Sequence, residues 1–305
     1  MSIAAAIGDT LQEEHQPNEP KRKGKWVPYL LMLPGMLWLA IFFVVPIVSL
    51  FLTSLQTPVP GGQVGEFQQT FNFANYWDTL SDSTYYIPLF RSFVYSGIAT
   101  LLALAIGYPL AYAIAFKSGK FRNLLLVLVI APFFVSFILR TIAWRQILAD
   151  EGPVVAVLRS VGLVGETAGV YPSAVAVIAG ITYNFLPFMT LPIYASLERV
   201  DPRLIEASGD LYAKPFTGFR KVTWPLSMPG VVAGTLLTFI PAAGDYVNAA
   251  LLGRPSNTMI GNRIEYTFLS VNDYPTAAVL SFILMACILT MVLVYIRRVG
   301  TEDLV

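Results

Sequence analysis

Glu206 and Asp210 stand four residues apart within residues 197–225, a stretch with nine charged residues. The 30 residues before it, 167–196, carry none. On a helix this spacing puts both carboxylates on one face, a turn apart, and makes a surface that can grip a soluble partner. A second group of acids, Asp245, Glu265 and Asp273, lies among Tyr246, Tyr266 and Tyr274. Carboxylates beside aromatic faces suit an organic polycation, through ion pairing and cation–π attraction of about 0.5–2 kcal/mol. The competing reading leaves these acids in interfacial water. Nucleophilic and metal chemistry find little support. The one histidine, His15, has no partner in a polar tail, and the one cysteine, Cys287, sits in an apolar run. No phosphate-binding G-x-x-x-x-G-K-[ST] loop occurs, and catalysis inside the apolar segments would need convergent His, Cys or acid groups that are missing.

The elements that must hold these residues are membrane helices. Of 305 residues 55% are hydrophobic and 13% charged, about half the ~25% charge of a soluble domain. Charge-free runs cover residues 26–65, 92–116, 123–139, 167–197, 222–244 and 274–296. A spanning helix needs roughly 20 apolar residues, so the runs predict six spans, the third being the shortest. An all-α membrane protein follows. Residues 1–25 form a polar tail ending in Lys21, Arg22, Lys23 and Lys25, read as preceding a retained signal anchor because the apolar run is too long for a cleaved leader. Residues 26–88 hold the first span and a Gly/Pro- and aromatic-rich loop, 89–298 the other five spans, and 299–305 a second tail. With the N-terminus inside, 14 lysines and arginines fall on inner segments against 6 on outer ones. The positive-inside rule then places both termini in the cytoplasm. Asp245 falls at the outer end of span five and Asp273 at the outer start of span six. Arg140 and Arg145 fall at the outer end of span three, where both can snorkel to headgroups. After them Asp150 to Pro153 lead into a short amphipathic helix over residues 154–163, with Arg159 and Glu166 on its polar side. Gly230 and Gly234 form a G-x-x-x-G step read as close helix packing.

Within the charged loop Asp201 is placed to cap a helix beginning at Pro202. Leu204, Ile205, Ser208 and Leu211 share a face, and Pro215 is expected to end the helix. A second short piece, residues 216–222, leads into Pro225, so the loop reads as a two-part elbow before span five. The stretch resembles the EAA loop of permease subunits of binding-protein-dependent ABC importers: Glu-Ala-Ala, three residues, Gly, nine residues, Ile-x-Leu-Pro. Here Glu206-Ala207-Ser208, Tyr212 at the glycine position and Val222-Thr223-Trp224-Pro225 keep the spacing. Tyr212 is the sharp departure, since glycine permits turns that tyrosine resists. Leu139 to Trp144, Tyr183 to Phe188, Asp210-Leu211, Ile240 to Tyr246 and Leu251 to Gly253 are similar to the spermidine/putrescine-type branch, and the likeness covers roughly residues 26–298.

The resemblance implies a six-span permease fold with a cytoplasmic coupling loop between spans four and five. Glu206, Ala207, Ser208, Asp210, Leu211, Tyr212 and Pro225 would couple to an ATPase, while Asp245, Tyr246 and Asp273 would line the substrate path. It implies two ATPase subunits carrying ATP and Mg, a second and distinct permease chain, and an extracytoplasmic solute-binding protein. The expected place is a bacterial-type cytoplasmic membrane. No cofactor or metal in this chain, no enzyme activity and no nucleic-acid partner are expected. The expected function is import of a polyamine. The rivals are an ion-coupled secondary transporter and an ABC permease for another solute such as iron or sulfate.

Overall fold

The computed structural model describes residues 27–162, 165 and 169–299. The tail with His15 and the basic run 21–25, together with Leu163, Glu166 and residues 300–305, lies outside the described residues. The chain divides into two compact units between Leu50 and Phe51. In the first, α1 (Val27–Leu39) passes through a π-turn (Ala40–Val44) into α2 (Val45–Ser54). The 26 residues Tyr29–Ser54 form a helix long and apolar enough to cross a membrane.

The second unit opens with a small antiparallel hairpin, β1 (Gln56–Pro58) paired with β2 (Phe67–Gln69), in which Thr57 faces Gln68. This is an addition to an otherwise helical architecture. After α3 (Ala74–Ser81), α4 (Ser83–Phe116) starts on an Asp82 cap, whose side chain accepts from the Thr84 N–H at 2.8 Å. The chain then runs through α5 (Arg122–Ile130), α6 (Phe137–Ile147) and α7 (Pro153–Ser160) to α8 (Ala174–Glu198). The short helices α9 (Pro202–Asp210) and α10 (Pro215–Gly218) lead into α11 (Trp224–Ala243). α12 (Val247–Leu252), α13 (Ile260–Leu269) and α14 (Tyr274–Val299) follow. The centre is α8, against which both α4 and α11 pack most closely. One apolar cluster gathers Ile181, Phe185, Leu252 and Met259, and another Ile114, Met189, Ile193 and Leu197.

Among the described residues five helices meet the length and hydropathy of a span, and a sixth does so only as a broken pair, residues Gly119–Phe134 and Phe137–Ile147, bent by 99°. The break has a local cause. Pro132 cannot donate the N–H that a continuing helix needs. The chain tightens to a 3₁₀ turn over Ala131–Phe134, and Val135 turns to extended backbone at φ −101°, ψ 138°. Non-helical backbone at this depth is tolerated only against protein or a cavity.

Two π-turns have a shared origin. Ala40–Val44 and Phe219–Thr223 each end two residues before a proline, Pro46 and Pro225. A proline ring collides with the carbonyl four residues back, and the wider π-turn moves that carbonyl aside. The consequence at Pro225 corrects the expectation of a separate second elbow piece. Residues Pro215–Ala243 form one helix of 29 residues, so the second limb is the foot of span five itself.

Candidate functional site

The charged loop folds as the Asp201 cap predicts. The Asp201 carboxylate accepts from the Arg203 N–H at 3.0 Å, and Pro202 occupies the first helical position. The helix stops at Asp210, earlier than Pro215. Ala213 N–H donates to the Ser208 carbonyl at 3.0 Å and Tyr212 N–H to the Gly209 carbonyl at 2.9 Å, with Tyr212 left-handed at φ 56°. This is the Schellman closure, whose left-handed position glycine usually fills. The glycine slot of the resembled pattern is therefore that position, and tyrosine keeps the turn at a steric cost of roughly 1–2 kcal/mol. Tyr212→Gly is expected to stabilise the loop by about 1 kcal/mol. Slower hydrogen exchange at the Ala213 amide, with the helix otherwise unchanged, is the measurement; unchanged exchange means that the turn carries no strain.

Ile205 and Ser208 are half-buried against the foot of span five, while Leu204 and Leu211 are exposed. Leu211 leaves the expected common face because the helix ends before it, and Leu204 stays exposed within the helix. Ser208 sits on Gly218, where an added Cβ would stand 2.8 Å from its Oγ. That contact closes the elbow. The foot of span five is anchored by Phe219 and Trp224 around the ring of Tyr108 on α4, at centroid distances of 5.6 and 5.2 Å, and Tyr108 OH shares a 2.8 Å hydrogen bond with Ser227 Oγ. A push on α9 thus meets a rigid element. Left outside are the carboxylates of Glu206 and Asp210, with Ala207 and Pro225, and an apolar set of Leu204, Leu211, Tyr212 and Phe216, of which Tyr212 is 95% exposed.

On the same side Arg122, at the start of the third segment, forms an ion pair with Glu198 at the end of α8 and donates Nε–H to Tyr194 OH at 2.6 Å. The entrance of span three and the exit of span four therefore share one membrane side with the elbow.

The acids at the far end of span five do not gather into one pocket. Asp245 is 7% exposed and accepts from Asn248, at 2.9 Å from its backbone N and 2.5 Å from Nδ2. Burial pushes its carboxyl above the usual carboxylate range, against the lowering effect of the Asn248 hydrogen bonds. Asn248 Oδ1 in turn accepts from Asn184 Nδ2 at 3.1 Å and Thr141 Oγ1 at 3.4 Å, tying α12 to α8 and α6. Tyr246 is 47% exposed, and its carbonyl accepts from Asn262. Asp273 caps α14 through the Thr276 N–H at 3.2 Å. A cleft of about 330 Å³ is lined by Arg254, Thr258, Asn262, Arg263, Glu265 and Tyr266 among others, without those three residues. The acids were visible as types. The amide network that holds Asp245 was not, because a single Asn in an apolar run does not name a partner 64 residues away.

Arg140 departs from the snorkelling expectation. It is 8% exposed, and its Cζ lies over the rings of Phe133 and Phe137 at 5.8 and 5.6 Å. Its buried Nε and Nη1 meet no hydrogen-bond acceptor among the described residues. The 99° turn folds the side chain back over the bend instead of letting it reach outward. Arg145, one and a half turns on, is exposed over Tyr171, and Arg91, Arg159 and Arg254 each donate to a backbone carbonyl. Removing a guanidinium from water costs several kcal/mol, more than a ring contact of about 0.5–2 kcal/mol returns.

Residues 103–298 match the family described as binding-protein-dependent transport system inner membrane component. The chain is 34% identical over 261 residues to the spermidine/putrescine transport system permease protein PotB of Haemophilus influenzae, covering 85% of this chain and 90% of that one. It is 35% identical over 260 residues to PotB of Escherichia coli K12, covering 85% and 93%. Its fold is similar to that of a bacterial ABC transporter involved in import of the acidic polysaccharide alginate, with a TM-score of 0.70, 19% identity, and coverage of 90% of this chain and 95% of that one. These likenesses and the apolar helices make it a multi-pass membrane transport subunit and not an enzyme. The chain belongs to the binding-protein-dependent inner membrane components, the permease subunits of ABC importers.

Proposed function

We propose that this permease carries a polyamine of the spermidine/putrescine class into the cell. The reading is supported by about 35% identity to PotB proteins over nearly their whole length. We further propose that α9 docks two ATPase subunits carrying ATP and Mg, with Glu206, Ala207, Ser208, Asp210, Leu211, Tyr212 and Pro225 forming or shaping the contact. The observation that carries this part is the elbow itself: Leu204, Glu206 and Asp210 on α9, Leu211 and Tyr212 in the turn after it and Phe216 on α10 all face solvent, on an elbow clamped to span five. A second, distinct permease chain completes the path, and an extracytoplasmic binding protein delivers solute. Both termini lie in the cytoplasm of a bacterial-type cell. The lysine and arginine bias supports that orientation, and the ion pair between Arg122 and Glu198, each beside a basic segment, agrees with it.

Spermidine uptake into vesicles should require ATP and the co-expressed ATPase and survive collapse of ion gradients. Uptake by the chain alone on an ion gradient sinks the proposal. Asp245 serves the path by fixing α12 through Asn248, with Tyr246 beside it in the chain and Asp273 at the start of span six as further path residues. Asp245→Asn turns an amide N–H₂ or an uncharged oxygen toward Asn248. Loss of a charge-assisted bond worth about 1.5–3 kcal/mol should lower spermidine uptake roughly tenfold or more. Normal uptake by a correctly inserted variant removes Asp245 from the path.

A further inference from the structure

We propose that Arg122 is a positioning residue: it yokes the inner limb of the broken span to the last turn of α8, so that a pull on α9 swings both about the level of Pro132 and Pro187. The inference rests on the ATPase-docking reading of the elbow. The inner limb, α5, is nine residues long, and none of them is fully buried. It lies on the apolar cluster that holds Met189, Ile193 and Leu197, through Leu125, Leu126 and Val129. Apolar contact has no direction, so by itself it lets α5 slide. Arg122 removes that freedom. Its Nε donates to Tyr194 OH at 2.6 Å, and its Nη2 pairs with the Glu198 carboxylate. Tyr194 and Glu198 stand one turn apart on α8, and one rigid guanidinium fork holds both. Only Arg199, Val200 and Asp201 separate Glu198 from the first residue of α9. A displacement of the elbow therefore reaches the yoke with little slack.

The outer limb has its own tie. Thr141 Oγ1 on α6 accepts from Asn184 Nδ2 at 3.2 Å. Between the two ties both spans are weak at one level. Span three breaks over Pro132 to Val135. Helix α8 carries Pro187 and Pro192, which lack the N–H that would close its ladder. Phe133 meets Phe188 at a centroid distance of 5.0 Å, and a cleft of about 270 Å³, lined by Pro132 and Pro187 among others, leaves space beside the bend. The paired side chains of Arg122 and Glu198 are 34% and 47% exposed. Such a pair adds little to folding stability, so its loss is read in coupling and not in melting.

The test uses the complete transporter in nanodiscs. Arg122→Gln should lower ATP-driven spermidine uptake about fivefold or more, within the usual range for coupling between sites, while ATP hydrolysis and the melting midpoint stay as they were. Arg122→Glu joined to Glu198→Arg should restore uptake to within about threefold although each change alone impairs it, the signature of a coupled pair. Spin labels on Leu124→Cys, Arg199→Cys and Leu139→Cys, introduced in pairs with Cys287→Ser, report the motion. When ATP binds the ATPase, the Leu124–Arg199 distance should hold within about 1.5 Å, one residue's rise on a helix, while the Leu124–Leu139 distance changes by more than that. In Arg122→Gln the Leu124–Arg199 distance should broaden. A Leu124–Arg199 distance that shifts with the native Arg122 in place, a Leu124–Leu139 distance that does not, or normal uptake by Arg122→Gln overturns the proposal. So does a lower melting midpoint with hydrolysis and uptake reduced together, which makes the pair a structural brace only. If Arg122→Gln does not accumulate, Glu198→Gln breaks the same pair and is scored in its place. Normal uptake by Glu206→Lys fails the docking reading instead, and no spermidine uptake by the unaltered transporter fails the polyamine reading; in either case the label distances still judge the yoke.

Discussion

Glu206→Lys is expected to abolish ATP-driven uptake, by about two orders of magnitude or more, in a protein that still inserts and reaches normal levels. The carboxylate is exposed and takes part in none of the contacts that hold the elbow. The Asp201 cap, the Ser208–Gly218 approach and the turn at Tyr212 all remain in the variant. The change therefore acts on the proposed docking face alone. Reversing a charge where two proteins meet replaces attraction by repulsion, and disrupting a buried, hydrogen-bonded charge there costs about 2–5 kcal/mol. At 1.4 kcal/mol per tenfold this spans the predicted loss. The lever geometry sharpens the expectation. Because α10 continues into span five as a single helix of 29 residues, loss of grip at α9 removes drive from span five without loosening it. ATPase activity of the co-expressed subunits, measured with uptake, decides the matter: hydrolysis detached from uptake supports the docking role, and unchanged uptake removes Glu206 from it.

What the sequence could reveal follows from how far each signal reaches along the chain. The Asp201–Pro202 start of α9 is a local event, two adjacent residues whose preferences agree, and it appears as expected. The apolar runs locate the spans for the same reason. The broken third segment is harder, because hydropathy over residues 123–139 is continuous and only Pro132 hints at the bend. The fused foot of span five was misplaced because Pro225 reads as a breaker, while a π-turn over five residues absorbs it. Tyr212 shows the opposite case. Its departure from glycine put the turn in question, yet the backbone hydrogen bonds to Ser208 and Gly209 hold it left-handed. Arg140 and the Asp245–Asn248–Asn184–Thr141 network were beyond local reading. Whether an arginine reaches the headgroups depends on the direction of its helix, and whether an asparagine is satisfied depends on a helix far along the chain.

Gly230→Ala is expected to lower the thermal midpoint of the detergent-solubilised protein by about 5–10 °C, at roughly 2–4 °C per kcal/mol for a domain of this size. The G-x-x-x-G step reads as close packing, and the structure supplies the partner. A Cβ at Gly230 would stand 2.4 Å from the Pro192 carbonyl oxygen and 2.6 Å from Ser196 Oγ, and one at Gly234 would stand 2.9 Å from the Met189 carbonyl oxygen. These are mainly backbone atoms of α8, which a rotamer change cannot move aside. Overpacking costs typically 1–3 kcal/mol where side chains can adjust, so the upper part of that range applies here. The strain falls on the contact between α8 and α11, the centre of the second unit, where Met189 and Ile193 are fully buried. Gly97→Ala in α4 provides the contrast, since nothing lies within 4 Å of its added Cβ. It should be neutral or slightly stabilising, by the roughly 0.5–1 kcal/mol that alanine gains over glycine inside a helix. Equal midpoints for the two variants would mean that α8 and α11 do not touch at Gly230. The rigid path from the elbow through span five to the centre of the unit would then lose its inner support.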